Sequence, residues 1–235
     1  MSTYRIAGFN IRFENKYPYT DKLCADYRHD CTKVDYVIST TDKAINDERA
    51  LVGDSFSLGY CEATCLYRAL CNQILFDDAF LLHGAVVAVD GKGYAFLGKS
   101  GAGKSTHAML WKQFYPHSVT IINGDKPIVR RLDGQFIAFG TPWSGKEQLN
   151  TNAGVPMQSL CFIEQARSNQ ICRLSMEETI ARYFHQLLIP KDKDTVSKLL
   201  ELTDAFLESM PAYLLHCDIS KEAVDLCFNT LTNTR

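Results

Sequence analysis

The run Gly98-Lys99-Ser100-Gly101-Ala102-Gly103-Lys104-Ser105 satisfies G-x-x-x-x-G-K-[ST] at each specified position. Just before it, residues 93–97 (GYAFL) read as a buried strand, and just after it residues 106–114 read as a helix. A glycine-rich turn between a strand and a helix start is the setting that phosphate binding needs. Glycines let successive amide N–H groups turn inward, and the helix terminus adds partial positive charge. In this reading Gly98, Lys99, Ser100, Gly101, Ala102, Gly103, Lys104, Ser105 and Thr106 hold the phosphates of a nucleotide, Lys104 reaches the outer phosphates and Ser105 ligates Mg²⁺. The donor is ATP, or GTP or pyrophosphate, since contacts to phosphate do not distinguish the bases.

On either side the pattern alternates strands and helices. Residues 80–89 (FLLHGAVVAV) read as one buried strand, and Asp90-Gly91 gives a tight hairpin into residues 93–97. Residues 118–123 (SVTIIN) form a short β-branched strand, so residues 80–140 carry the strand, loop, helix, strand order of a nucleotide-binding core. Residues 159–164 predict another strand, and residues 175–188, 195–208 and 220–231 have helical periodicity, the first opened by a Ser175/Glu178 capping box. Upstream, residues 4–13 and 34–39 predict strands, and residues 42–51 and 60–75 predict helices. The expected architecture is α/β: a mixed sheet with flanking helices over residues 79–235, with a small N-terminal αβ lobe over residues 1–78.

The 235 residues are 46% hydrophobic and 22% charged, which is ordinary for a compact globular chain. A formal charge of −2 and no dense Lys/Arg run argue against nucleic acid as a partner. No run of about 18 apolar residues predicts a membrane span, and the start, MSTYRIAGFNIRFENK, has no apolar signal block, so the expected location is cytoplasmic. Nine cysteines without a CxxC pair read as reduced structural thiols, with Cys161 and Cys172 in apolar segments and Cys61 and Cys65 on one helical face.

Asp125 follows the strand over residues 118–123. An open parallel arrangement would set it beside the glycine-rich loop at the carboxyl ends of the strands, although Asn123-Gly124-Asp125-Lys126 also has the composition of a turn. Read together, His83-Gly84-Ala85-Val86-Val87, the loop with its Ser100 and Gly101, and Ile121-Ile122-Asn123-Gly124-Asp125 resemble the catalytic core of the HPr kinase/phosphorylase family. That family shares its P-loop architecture with phosphoenolpyruvate carboxykinases, and the closest resemblance is to its short, single-domain bacterial members. The resemblance implies that Asp125 is the base toward an acceptor hydroxyl and a second Mg²⁺ ligand, with His83 beside it. It also implies a kinase or phosphotransferase whose acceptor is a peptide, a protein or a small molecule, and a homo-oligomer. The family's first aspartate of the strand-end pair is Gly124 here.

Residues 140–147 (GTPWSGKE) combine turn residues with a tryptophan and both signs of charge, and Trp143, Ser144 and Lys146 are expected to line an acceptor or base pocket. Of Arg130 and Arg131, adjacent on a strand, at most one would face phosphate. His107, His117, His185 and His216 carry no assignable role. A nucleotide-dependent binding module without an acceptor is the alternative to a phosphotransferase. Carboxykinase-like chemistry would need a second metal site and an arginine cluster, neither of which the sequence assembles.

Overall fold

Residues 4–13, expected as one strand, fold back on themselves in the computed structural model, which describes residues 2–233. Ala7 and Gly8 adopt φ of 52° and 83°, the left-handed pair of a two-residue hairpin. They separate β1 (Thr3–Ile6) from its antiparallel partner β2 (Phe9–Phe13), with β3 (Tyr36–Ile38) parallel beside β2. The short α1 (Tyr19–Leu23) follows the hairpin. Helices α2 (Asp42–Val52) and α3 (Leu58–Gln73) start where the Thr41 and Ser57 hydroxyls accept from Ala44 N and Tyr60 N. Side chains of α3, among them Leu66, Tyr67 and Leu70, bury the inner face of this small sheet, and the same cluster takes in Leu81, Ile128 and Trp143.

The stretch 80–89 is also two strands. β4 (Ala79–Leu81) and β5 (Ala85–Val89) are parted at Leu82-His83-Gly84 and lie in different parts of the larger sheet. The run is apolar on both sides, and its one interruption, His83-Gly84, lies at the break. Tertiary partners make it: His83 N donates to Gln186 O at 2.8 Å, and Gly84 N donates to Asp125 O at 2.9 Å. Gly84 is held so close to the next strand that a Cβ would stand 2.5 Å from Leu97 Cδ2 and 2.9 Å from Phe96 O.

The order continues as expected through β6 (Lys92–Leu97), α4 (Lys104–Phe114) and β7 (Val119–Asn123); two strands without a predicted range follow, β8 (Ile128–Leu132) and β9 (Gln135–Phe139). β10 (Gly154–Gln165) is twice the length expected, and β11 (Gln170–Arg173) pairs with β12 (Ala212–Cys217), a strand the pattern did not predict. Between them lie α5 (Met176–Tyr183), with the Ser175/Glu178 capping box formed, and α6 (Lys193–Ser209); α7 (Lys221–Asn233) follows. β12 is buried on nearly every position and so lacks the period-two alternation that marks a half-exposed strand.

β12, β10 and β6 are parallel neighbours, and β5 runs antiparallel between β6 and β7. The amino half of β10 instead pairs with β9, which leads through β8 to β4, so the sheet curls. One face packs on α6 through Leu199, Leu202 and Phe206, and the other on α4 and α7 through Trp111, Val224 and Cys227. The carboxyl ends of β12, β10, β6 and β7 therefore share one edge with the amino end of β5. Asp125 reaches that edge with an antiparallel strand, not a parallel neighbour, between it and the loop.

All nine cysteines are free; Cys172 is exposed, contrary to its apolar setting in the sequence, while Cys161 faces Cys227 at 3.8 Å between sulfurs. Among the described residues no helix is long and apolar enough to cross a membrane.

Candidate functional site

Between β6 and α4 the chain turns through Gly98, Gly101 and Gly103 at φ of 145°, 79° and 99°, conformations that disfavour any side chain. Gly98 also lies against β10, where a Cβ would be 3.0 Å from Ile163 O. Lys104 opens α4 and is 7% exposed. Its Nζ donates to Gly98 O at 3.0 Å and Lys99 O at 3.3 Å, so its ammonium lies within the curve of the loop. Burial pushes that ammonium below the ordinary lysine value, against the opposing field of Asp125. Lys99, Ser100, Gly101 and Thr106 are exposed, Ser105 is half-buried, and Gln165 Nε2 donates to Gly101 O at 3.0 Å.

Asp125 is presented by a turn built from Asn123. The fully buried Asn123 accepts at Oδ1 from Asp125 N at 2.9 Å and Lys126 N at 2.7 Å, and its Nδ2 donates to Thr141 O at 3.0 Å. This Asx turn is locked from behind, since Lys126 O accepts from Thr141 Oγ1 at 2.8 Å and Tyr67 Oη at 2.7 Å. The Tyr67 ring in turn stacks on Trp143 with centroids 4.1 Å apart. The sequence signal for Asn123 was the turn composition alone; nothing local pointed to Tyr67 or Thr141.

The outcome is a carboxylate between two nitrogens. Asp125 Oδ1 lies 3.3 Å from His83 Nε2, and Oδ2 lies 3.1 Å from Lys126 Nζ. Burial pushes the Asp125 carboxyl up, but the His83 hydrogen bond and the Lys126 ammonium outweigh it and hold the group down at about 2. Lys126 was not singled out from the sequence, where it reads as a turn residue. Gly124 has a spatial reason: a Cβ there would stand 2.9 Å from Ser144 O, so the neighbouring loop occupies the room a first aspartate would require.

His83 and the glycine-rich loop are tied together by Gln186, a buried residue in the turn after α5. With its side-chain amide oriented so that the nitrogen faces them, it donates to His83 O and Gly98 O at 3.0 Å each, while its backbone carbonyl accepts from His83 N. No sequence signal marked Gln186, which lies in a stretch that reads as an ordinary helix end.

Lys104, Ser105, His83 and Asp125 thus gather at one sheet edge. The 140–147 segment differs from expectation: Trp143 and Ser144 are 8% and 3% exposed, Trp143 supporting Tyr67 and Ser144 accepting from Asn150 Nδ2 at 2.9 Å. Only Lys146 of the three is exposed. Gly145 lies against the aspartate, where a Cβ would be 3.2 Å from Asp125 Cβ. Arg130 covers the Phe9 ring at 3.8 Å, and Arg131 pairs with Asp78 at 3.0 Å. His107 is buried, accepts from Trp111 Nε1 at 3.1 Å and is pushed down to about 4 by burial, and His216 faces Glu164 at 3.7 Å.

No family model matches the chain, and no curated protein matches it. Among solved structures it is similar to that of the Hpr(Ser) kinase/phosphatase from Coxiella burnetii, with 10% identity, a TM-score of 0.38, and 65% of this chain and 88% of that chain covered. A likeness of that degree carries no argument about function.

Proposed function

We propose that the chain is an Mg²⁺-dependent phosphotransferase of HPr kinase-like type, moving a phosphoryl group from ATP or a related donor to a hydroxyl of a peptide, protein or small molecule. The observation that carries this reading is the convergence of the Lys104 ammonium, inside the glycine-rich turn, with the His83-paired Asp125 carboxylate at one sheet edge. The loop amides and Lys104 would neutralise charge on the transferring group, while Asp125 would orient the acceptor hydroxyl and take its proton as the new bond forms. His83 and Lys126 hold the carboxylate ionised and in place. A carboxyl at about 2 is a weak base, which suits a loose transition state in which the proton leaves late.

The oxygen donors of Ser105 and Asp125 fit Mg²⁺, which characteristically takes one or two protein oxygens and completes its shell with phosphate and water. When bound it would supply charge neutralisation on the phosphates. Lys146, beside Gly145, remains the proposed acceptor contact of the 140–147 segment, with Trp143 and Ser144 supporting it from the interior.

The test is incubation with Mg²⁺ and γ-labelled ATP in the presence of hydroxyl-bearing peptides and small alcohols. Acceptor-dependent labelled product is expected. Nucleotide binding with no such product across the screen would favour a nucleotide-dependent binding module, the reading to which Gly124 in place of an aspartate lends weight.

Gln186 gives a separate expectation. Gln186→Ala leaves the His83 carbonyl without its side-chain donor and the Gly98 carbonyl with Lys104 Nζ alone, a cost of about 1–3 kcal/mol, or about 2–10 °C in melting temperature for a chain of this size. Transfer should fall more than about tenfold at temperatures where the variant is folded, because both sides of the site lose their shared tie. Unchanged turnover in the folded variant would reduce Gln186 to a stability role.

A further inference from the structure

The strand order sets the glycine-rich loop between two unlike neighbourhoods. Toward β5 and β7 stand His83, Asp125 and Lys126. Toward β10 and β12, beyond their carboxyl ends, a cavity of about 330 Å³ opens directly against the loop. Gly103, Thr106 and Leu110 form its wall on the loop and α4, and Ala166, Cys217 and Ile219 form the opposite wall. Its size lies at the low end of the roughly 300–1,000 Å³ usual for small-molecule sites.

The chemistry of the two sides differs. No lysine or arginine lines the cavity, and its one histidine, His107, is buried with Nε2 accepting from Trp111 Nε1, so beyond the loop's own residues no cationic side chain there favours a phosphate. Asp218 in the wall would repel one. What the cavity offers is apolar surface with polar groups at the rim, notably Gln165, whose amide already touches the loop at Gly101 O.

Ile219 is the second observation. It is 77% exposed, yet it sits on a turn fixed by three hydrogen bonds: Asp218 N to Asn169 Oδ1 at 3.0 Å, Ser220 N to Asp218 Oδ1 at 2.8 Å, and Asn169 Nδ2 to Ser220 Oγ at 3.2 Å. A large aliphatic side chain that lines a cavity from a braced turn and is still exposed gains hydrophobic stabilisation only when something apolar packs against it.

We infer that this cavity receives the nucleobase and ribose of the donor, with the base covered by Ile219 and backed by the α4 face. The donor then lies across the loop, its base over the ends of β10 and β12 and its terminal phosphate toward Asp125. The inference rests on the phosphotransfer reading for what occupies the loop, and it makes a nucleoside triphosphate, not pyrophosphate, the fitting donor. The cavity has no room for an acceptor as well, which leaves the acceptor on the Asp125 side.

Calorimetric titration of the full chain with Mg²⁺ and ATP, GTP or inorganic tripolyphosphate tests it, using wild type and Ile219→Asn. The substitution is neutral and lies at an exposed position, and an unchanged melting temperature without ligand would show that it folds. Wild type should bind at least one of the nucleotides about tenfold or more tighter than tripolyphosphate, and Ile219→Asn should remove most of that preference while leaving tripolyphosphate affinity unchanged. Equal affinity for tripolyphosphate and both nucleotides, or a preference that survives Ile219→Asn, would overturn the base site and leave the phosphate loop standing. Failure of wild type to bind any of the three would overturn the phosphotransfer reading along with it.

Discussion

Lys104→Ala is expected to abolish the stabilisation that Mg²⁺ and nucleotide confer on the chain. A ligand at about a hundred times its dissociation constant adds about 2.7 kcal/mol, which for a chain of this length raises the melting temperature by several degrees. Lys104 Nζ lies against the Gly98 and Lys99 carbonyls, in the turn where glycines at positive φ would aim amides at the same phosphates. Removing it takes away the only charged side chain buried in that turn and two hydrogen bonds that brace it. Turnover should fall by about 10²–10³-fold or more, the loss seen when one preorganised group facing developing charge is deleted. The check is a melting curve of wild type and variant with and without Mg²⁺-ATP. A ligand-induced shift of equal size in both would mean that the nucleotide is held elsewhere.

Asp125→Asn should separate chemistry from binding. The amide keeps the shape of the side chain but can neither take the acceptor's proton nor balance the ammonium of Lys126 at 3.1 Å. A loss of about 10²–10⁴-fold in turnover is expected for removal of a positioned base, with nucleotide affinity nearly intact because the loop and Lys104 are untouched. Equal loss of binding in this variant and in Lys104→Ala would defeat that division of roles. The same substitution has a stability signature. The folded carboxyl, at about 2, lies below the ordinary value of about 3.9, so ionised Asp125 stabilises the fold fully above that ordinary value. The contribution is lost as pH falls through about 2. Wild type should therefore be more stable than Asp125→Asn at neutral pH, and the difference should close in acid.

The glycine-rich turn was legible because its requirement is local: three glycines, a lysine and a serine at fixed spacing between a strand and a helix. The Ser175/Glu178 capping box and the Asp90-Gly91 hairpin were legible for the same reason, each being a short-range hydrogen-bonding or φ preference that the residues themselves carry. The Ala7-Gly8 hairpin was missed because each flank alternates well enough to read as one strand; its trace is a change of phase, from Tyr4 and Ile6 to Phe9, Ile11 and Phe13, at the only glycine of the stretch.

Residue types and spacing alone were enough to place the glycine-rich turn between its strand and its helix, to single out His83 and Asp125 as chemistry-bearing candidates, and to give the succession of most strands and helices. The folded chain decided the rest. It broke residues 80–89 at Gly84, because the approach of Leu97 and Phe96 admits no side chain there. It buried Trp143 under Tyr67 to brace the turn that holds Asp125 and Lys126, and brought Gln186, more than eighty residues on, to the carbonyls of His83 and Gly98. It also set the cavity under Ile219 on the opposite side of the loop from Asp125. Such features depend on which strands become neighbours across long loops, and strand order is a property of packing that no local window of sequence contains.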